Sequence, residues 1–133
     1  MDHERLAAII NDCPFHEFLN MAVEAADPDA GVVVIRLPFA AGFARSKKAP
    51  QIHGGITAAL IDIAGVYAIA TVIGRTVPTI NMSVDYLRMA EGSDLIARAR
   101  VIKAGRSIGV ADIEVSDDAD RLIAVGRGTY STV

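Results

Sequence analysis

His53-Gly54-Gly55-Ile56-Thr57-Ala58-Ala59-Leu60-Ile61-Asp62 opens an apolar run that continues to Gly74 and holds a single charged residue, Asp62. On a helical template the run places apolar side chains on nearly every face, the pattern of a helix wrapped by protein or by lipid. A bilayer span would have to carry the aspartate near its middle, at roughly 2.5–3.5 kcal/mol on insertion scales, and Thr57, Gly65 and Thr71 dilute the signal further. The reading that fits is a core helix of a soluble protein.

The C-terminal half of the chain supplies a surface for that helix. From Thr79 the chain divides into four segments of strand character, Thr79 to Leu87, Leu95 to Ile102, Ser107 to Val115 and Leu122 to Ser131. Glu91-Gly92-Ser93, Lys103-Ala104-Gly105-Arg106 and Ser116-Asp117-Asp118-Ala119-Asp120 supply the turns between them. In the first segment Ile80, Met82, Val84 and Tyr86 share one face and Asn81, Ser83 and Asp85 the other, which predicts an antiparallel sheet with one covered face. A curved sheet needs a cover for its apolar face, and the all-round apolar helix provides one. The fold class expected is therefore α+β, a curved antiparallel sheet around a long central helix.

Ahead of the run, Leu6, Ile9 and Ile10 have helical spacing, and Asn11-Asp12-Cys13-Pro14 ends that helix. A short turn from Phe15 to Leu19 leads to a strand near Met21 to Ala26. Asp27-Pro28-Asp29-Ala30-Gly31 turns the chain back into the β-branched run Val32 to Leu37. Phe39 to Pro50, with Arg45, Lys47 and Lys48, reads as a basic loop.

At 133 residues the chain has room for one domain spanning 1–133. Its 52% hydrophobic residues and mean hydropathy of +0.36 exceed what a small monomer should carry, so buried subunit contacts are expected besides a core. The net charge of −3 gives no sign of nucleic-acid binding. The single cysteine, Cys13, excludes an internal disulfide, and Met1 leads into Asp2, His3, Glu4 and Arg5 with no secretion or transit pattern. Both fit a cytoplasmic protein. The ligand clusters of a zinc site are missing, and His3 and His16, with no evident partners, read as surface or structural residues.

The order of helix, two strands, loop, His-Gly-Gly, long apolar helix and four strands resembles the hotdog fold. In detail the chain is similar to the PaaI-like, phenylacetic-acid-degradation branch of the acyl-CoA thioesterases, within the superfamily of 4-hydroxybenzoyl-CoA thioesterase. Six pieces in order carry the resemblance: Cys13-Pro14-Phe15, Ile52-His53-Gly54-Gly55, Asp62, Val84-Asp85-Tyr86-Leu87-Arg88, Lys103-Ala104-Gly105-Arg106, and Ala124-Val125-Gly126-Arg127-Gly128-Thr129.

Chemistry and resemblance meet at the helix start. Gly54 and Gly55 carry no side chain, so a thioester carbonyl can approach free helix N–H groups, which stabilise an oxyanion with the helix dipole behind them. The resemblance assigns the main oxyanion N–H to Gly55; the bland alternative is a tight turn into a helix. Asp62 is the candidate general base or nucleophile, since a carboxylate in apolar surroundings tends toward a raised pKa. Its alternative is a buried acid with a structural partner. His53 either donates to the thioester or caps the helix. Thr79 matches the family position whose hydroxyl lies near the acid and holds the attacking water, or it serves strand propensity alone.

Nine residues of helix rise about 13 Å, so His53 and Asp62 of one chain cannot touch one carbonyl. If both act, two subunits share the site. The resemblance implies the same: a homodimer with shared sites, and a homotetramer of such pairs, with Phe15 and Phe18 of a neighbouring chain at the acyl pocket. It implies no cofactor, the coenzyme A thioester being substrate. It places the nucleotide end along Tyr86, Leu87, Arg88, Met89 and Ala90, then along Lys103, Gly105, Arg106 and Ser107, with Ser131 close by. Arg88, Lys103 and Arg106 are the phosphate candidates.

Two departures stand out: Lys47 occupies the loop position where relatives carry an asparagine, and Met89 replaces a proline. The reaction expected is hydrolysis of a small aryl- or medium-chain acyl-CoA. Its rivals are a non-catalytic acyl-CoA sensor, which Lys47 keeps open, and a hotdog hydratase or dehydratase, whose His-Phe-Pro loop and helix glutamate are missing.

Overall fold

The computed structural model describes residues 1–133. Two short helices, α1 (His3–Ile9) and α2 (Pro14–Leu19), precede the hairpin strands β1 (Ala22–Asp27) and β2 (Val32–Leu37). A small pair, β3 (Ala44–Ser46) and β4 (Ala49–Ile52), leads into the long helix α3 (Gly54–Ile73). Four strands complete the chain: β5 (Thr79–Tyr86), β6 (Leu95–Ala104), β7 (Ile108–Asp117) and β8 (Leu122–Ser131). The main sheet has six antiparallel strands in the order β1-β2-β6-β7-β8-β5, and β3 and β4 pair separately. This is the hotdog architecture, a sheet wrapped on a central helix.

α3 begins at the His53 cap and ends at Gly74, whose φ of +84° is the left-handed conformation that glycine adopts without strain. It is long and apolar enough to cross a bilayer, yet the sheet covers most of it. Small residues set the spacing. Ala64, Ala68 and Ala70 on the helix and Ala97, Ala99, Ala111 and Ala124 on the strands are fully buried, so helix and sheet approach closely and Leu60, Ile61, Ile69, Ile35 and Ile113 interdigitate around them. Gly65 takes this to its limit, because the ring tip of Tyr130 occupies the place its side chain would fill.

Three expectations are revised. Phe15 to Leu19 is not a turn but lies in α2, which Pro14 starts at a position where its missing N–H costs nothing. The basic stretch is not all loop, since it folds into a short 3₁₀ turn, Ala41–Phe43, and the β3–β4 pair. The apolar face of β5 is not covered within one chain, Ile80 being 52%, Met82 37% and Tyr86 56% exposed. β5 is an edge strand paired only with β8, and of its apolar residues only Val84 packs on the core.

α3 is likewise open along one stripe. Ala59, Asp62 and Val66 follow one another at helical spacing and are only half-buried, while Gly55 at the helix start is exposed. The isolated chain thus leaves this helix stripe and the apolar edge of β5 uncovered, with Phe15, Phe18, Leu87 and Met89 exposed besides.

Candidate active site

The first part of the site is the start of α3. His53 caps the helix through its own ring: Nδ1 accepts the Gly55 N–H at 2.8 Å. An acceptor Nδ1 puts the proton of a neutral imidazole on Nε2, leaving that nitrogen a donor. The Tyr86 hydroxyl donates to the Gly54 carbonyl at 2.7 Å. Glycine keeps both contacts uncrowded, because a Cβ would fall 3.2 Å from Tyr86 Cζ at Gly54 and 3.0 Å from His53 Nδ1 at Gly55. The Gly55 N–H is held by the His53 ring and the Ile56 N–H by the His53 carbonyl at 3.0 Å, and the positive end of the helix dipole suits a developing negative charge here.

These groups sit in a cleft of about 570 Å³, which brings together His53, Gly54 and Gly55 with Tyr86, Leu87, Arg88, Met89 and Ala90. The cleft also holds Arg45, Ile52, Thr57 and Ile123, which the sequence did not single out. Arg45 was visible only as one of several charges in a basic stretch; its place on β3 aims it here. Ile52, Thr57 and Ile123 have the residue types of ordinary core positions and gave no signal. Lys47 lies outside the cleft, exposed at the β3–β4 turn.

The second part lies farther along α3. The Thr79 hydroxyl donates to Asp62 Oδ1 at 2.7 Å. The register slips by one residue between Thr79 and Asn81 on β5, and this irregularity turns Thr79 toward the helix. Asp62 is half-buried, not sealed in apolar surroundings, and none of the ion pairs of the molecule involves it.

The third part is the β6–β7 turn. Lys103, Arg106 and Ser107 are exposed there, and the Gly105 carbonyl accepts the Thr132 hydroxyl at 2.7 Å. Ser131 pairs with Ile108 and donates its N–H to the Pro78 carbonyl at 2.9 Å, so this turn belongs to the Thr79 end of β5. The expected site residues therefore form two groups. One is the cleft with the helix start and Tyr86 to Ala90; the other gathers Asp62, Thr79, Ser131 and the Lys103–Ser107 turn. Seven residue steps of β5 separate Thr79 from Tyr86, about 23 Å.

His3 and His16 take structural contacts: His3 Nε2 lies 2.9 Å from the Val23 carbonyl and ties α1 to β1, and His16 Nδ1 lies 2.8 Å from the Ile10 carbonyl, joining α2 to the end of α1. No group of three His, Cys, Asp or Glu is placed to hold a metal ion.

The glycine-bearing helix start and Asp62 lie on the one core helix of a hotdog sheet. The sequence profile of the thioesterase superfamily matches residues 51–124, and the chain belongs to that superfamily. A relative from Halobacterium salinarum is 35% identical over 136 residues, covering 94% of this chain and 88% of its own. The medium/long-chain acyl-CoA thioesterase YigI of Escherichia coli is 26% identical over 134 residues, covering 88% of this chain and 84% of its own. A crystal structure of another thioesterase-superfamily protein is 36% identical, covers 97% of this chain and 96% of its own, and superposes with a TM-score of 0.91.

Proposed function

We propose that two copies of this chain pair through the open edge of β5 and the uncovered stripe of α3, so that the helix start of one protomer faces Asp62 of its partner across a bound acyl-CoA. Asp62 takes a proton from water, the water oxygen attacks the thioester carbonyl, and the Gly55 N–H stabilises the oxyanion. The C–S bond then breaks, releasing the free acid and coenzyme A thiolate. The observation that carries this reading is Asp62 itself, a carboxylate with no cation beside it, oriented by Thr79 on a helix face that only a second chain can cover.

The His53 cap has a part in this scheme. In the free chain its imidazole holds the Gly55 N–H; an oxyanion is the stronger acceptor and displaces it. The displaced ring keeps its Nε2 proton and can hydrogen-bond to the departing sulfur, while the proton taken up by Asp62 passes to the thiolate. Arg88 and Arg45 at the cleft, with the exposed Lys103 and Arg106 of the β6–β7 turn, supply cations for the phosphates of coenzyme A. The exposed Phe15 and Phe18 of a neighbouring chain supply an apolar surface for a small aryl or medium-chain acyl group, a range that the name of YigI overlaps.

The test is free-thiol release from a panel of aryl and straight-chain acyl-CoAs by wild type and by Asp62→Asn. Release by wild type alone supports the assignment and ranks the acyl groups. Equal release by Asp62→Asn removes Asp62 from the chemistry, and binding of acyl-CoA without release by wild type would mark a sensor.

A further inference from the structure

Tyr130 carries the only buried side-chain oxygen or nitrogen in the molecule without a hydrogen-bond partner. Its side chain is 0% exposed and runs from β8 beneath α3. A Cβ would fall 1.7 Å from its hydroxyl at Gly65 and 1.9 Å at Gly128. Those glycines house the ring tip, whose Cζ they would also meet at 2.6 and 2.3 Å, so they explain the ring and not the hydroxyl. A phenylalanine would fill the same space without burying a polar atom, and buried hydroxyls are retained where they have something to bond.

The placement of that hydroxyl singles out its target. Tyr130 is the register partner of Thr79 across the β5–β8 pair, and Thr79 already donates to Asp62 Oδ1. Gly65, against which the phenol rests, follows Asp62 by three residues on α3 and so lies on the same side of the helix. Burial first and the charge of Asp62 second push the phenol well above the ordinary tyrosine range. The phenol therefore stays protonated. The groups around it are Asp62 and Gly65 from α3 and Thr79 from β5, with His53 nine residues before Asp62 at the far end of the site.

We propose that Tyr130 is a positioning residue for the catalytic carboxylate: its buried hydroxyl serves Asp62 Oδ2 as Thr79 serves Oδ1, engaging when the carboxylate turns inward in the loaded site. This rests on Asp62 being the base of the proposed hydrolysis. Two O–H donors, one from each of two paired strands, fix the carboxylate and hold it in its charged form. Losing one of them raises the pH at which the base becomes ionised.

The test compares wild type, Tyr130→Phe and Asp62→Asn by the pH dependence of kcat for acyl-CoA hydrolysis. Tyr130→Phe is expected to fold at least as stably as wild type, since it removes an unpaired buried hydroxyl. Its acid limb is expected to move up by about one pH unit, a tenfold change in the base's proton affinity, while KM stays within about twofold. An unchanged acid limb and kcat in Tyr130→Phe, with Asp62→Asn inactive, overturns the proposal and leaves the base assignment standing. An active Asp62→Asn overturns both.

Discussion

Replacing Gly65 with alanine sets two effects of known sign against each other. Alanine is the better helix residue, and at an exposed helix position the change would stabilise by about 1 kcal/mol. At Gly65 the new methyl would lie 1.7 Å from the Tyr130 hydroxyl, 2.6 Å from Cζ and 3.2 Å from Cε2. The first distance is half of the shortest ordinary van der Waals separation, and the obstacle is a rigid ring fully buried on every side. Relief requires the ring to leave its rotamer or α3 to lift from the sheet, and core overpacking of this kind costs about 1–3 kcal/mol, sometimes more. With so short a contact the cost falls at the upper end and exceeds the propensity gain, for a net loss of about 2 kcal/mol. In a domain of this size that lowers the Tm by about 8 °C. Guanidinium and thermal unfolding of Gly65→Ala measure it, and the Gly65→Ala/Tyr130→Phe double variant should recover part of the loss, because the shortest contact is gone. A Gly65→Ala protein as stable as wild type, or more stable, would refute the packing argument.

Two further outcomes are expected. Ile80→Glu on the open edge of β5 should leave the chain folded, because Ile80 is half exposed, while sedimentation shows the oligomer reduced to single chains and thiol release lost with it; an unchanged sedimentation coefficient would count against pairing through this edge. Acid should weaken the β7–β8 pair. The Arg127 guanidinium holds the Asp112 carboxyl below its usual 3.8, and the N–H of Arg121, with its guanidinium, does the same for Asp117. A depressed carboxylate contributes stability that is fully present above the unfolded-state pKa and is lost as pH falls through the lower folded-state value. The Tm should therefore hold from neutrality down to about pH 4 and fall below it, less steeply in Asp112→Asn.

The sequence showed the elements that rest on long, uniform patterns and missed those that depend on partners. The apolar run after His53 and the strand from Leu122 to Ser131 were legible because each is long and bounded by turn or cap residues, despite Gly65 in the one and Gly126 and Gly128 in the other. α2 was missed because Pro14 both ends α1 and begins the next helix, and a proline alone does not say which. The β3–β4 pair was hidden behind Arg45, Lys47 and Lys48, whose charge reads as loop although two residues at the turn are enough for a hairpin. The alternation along β5 was read correctly, but alternation reports which residues share a face and not whether the same chain covers it. Spacing along α3 showed that His53 and Asp62 could not meet within one chain. It could not show that the His53 ring closes on Gly55, or that β5 sorts the expected ligand residues to its two ends. Tyr130 gave no signal at all; Gly65 and Gly128 were visible as glycines, and only the packing of β8 under α3 shows what they make room for.

The shared site is tested most directly by mixing two chains that are each disabled at a different end. Asp62→Asn removes the carboxylate, and Gly55→Pro removes the oxyanion N–H, the same one that the His53 ring caps. Each homodimer should release no thiol from acyl-CoA. In a dimer of one chain of each kind, both lesions fall in one site and the other site is intact, so the refolded equimolar mixture should regain about one quarter of wild-type turnover. A mixture that forms hybrid dimers and stays as inactive as either parent would contradict a site built from two chains.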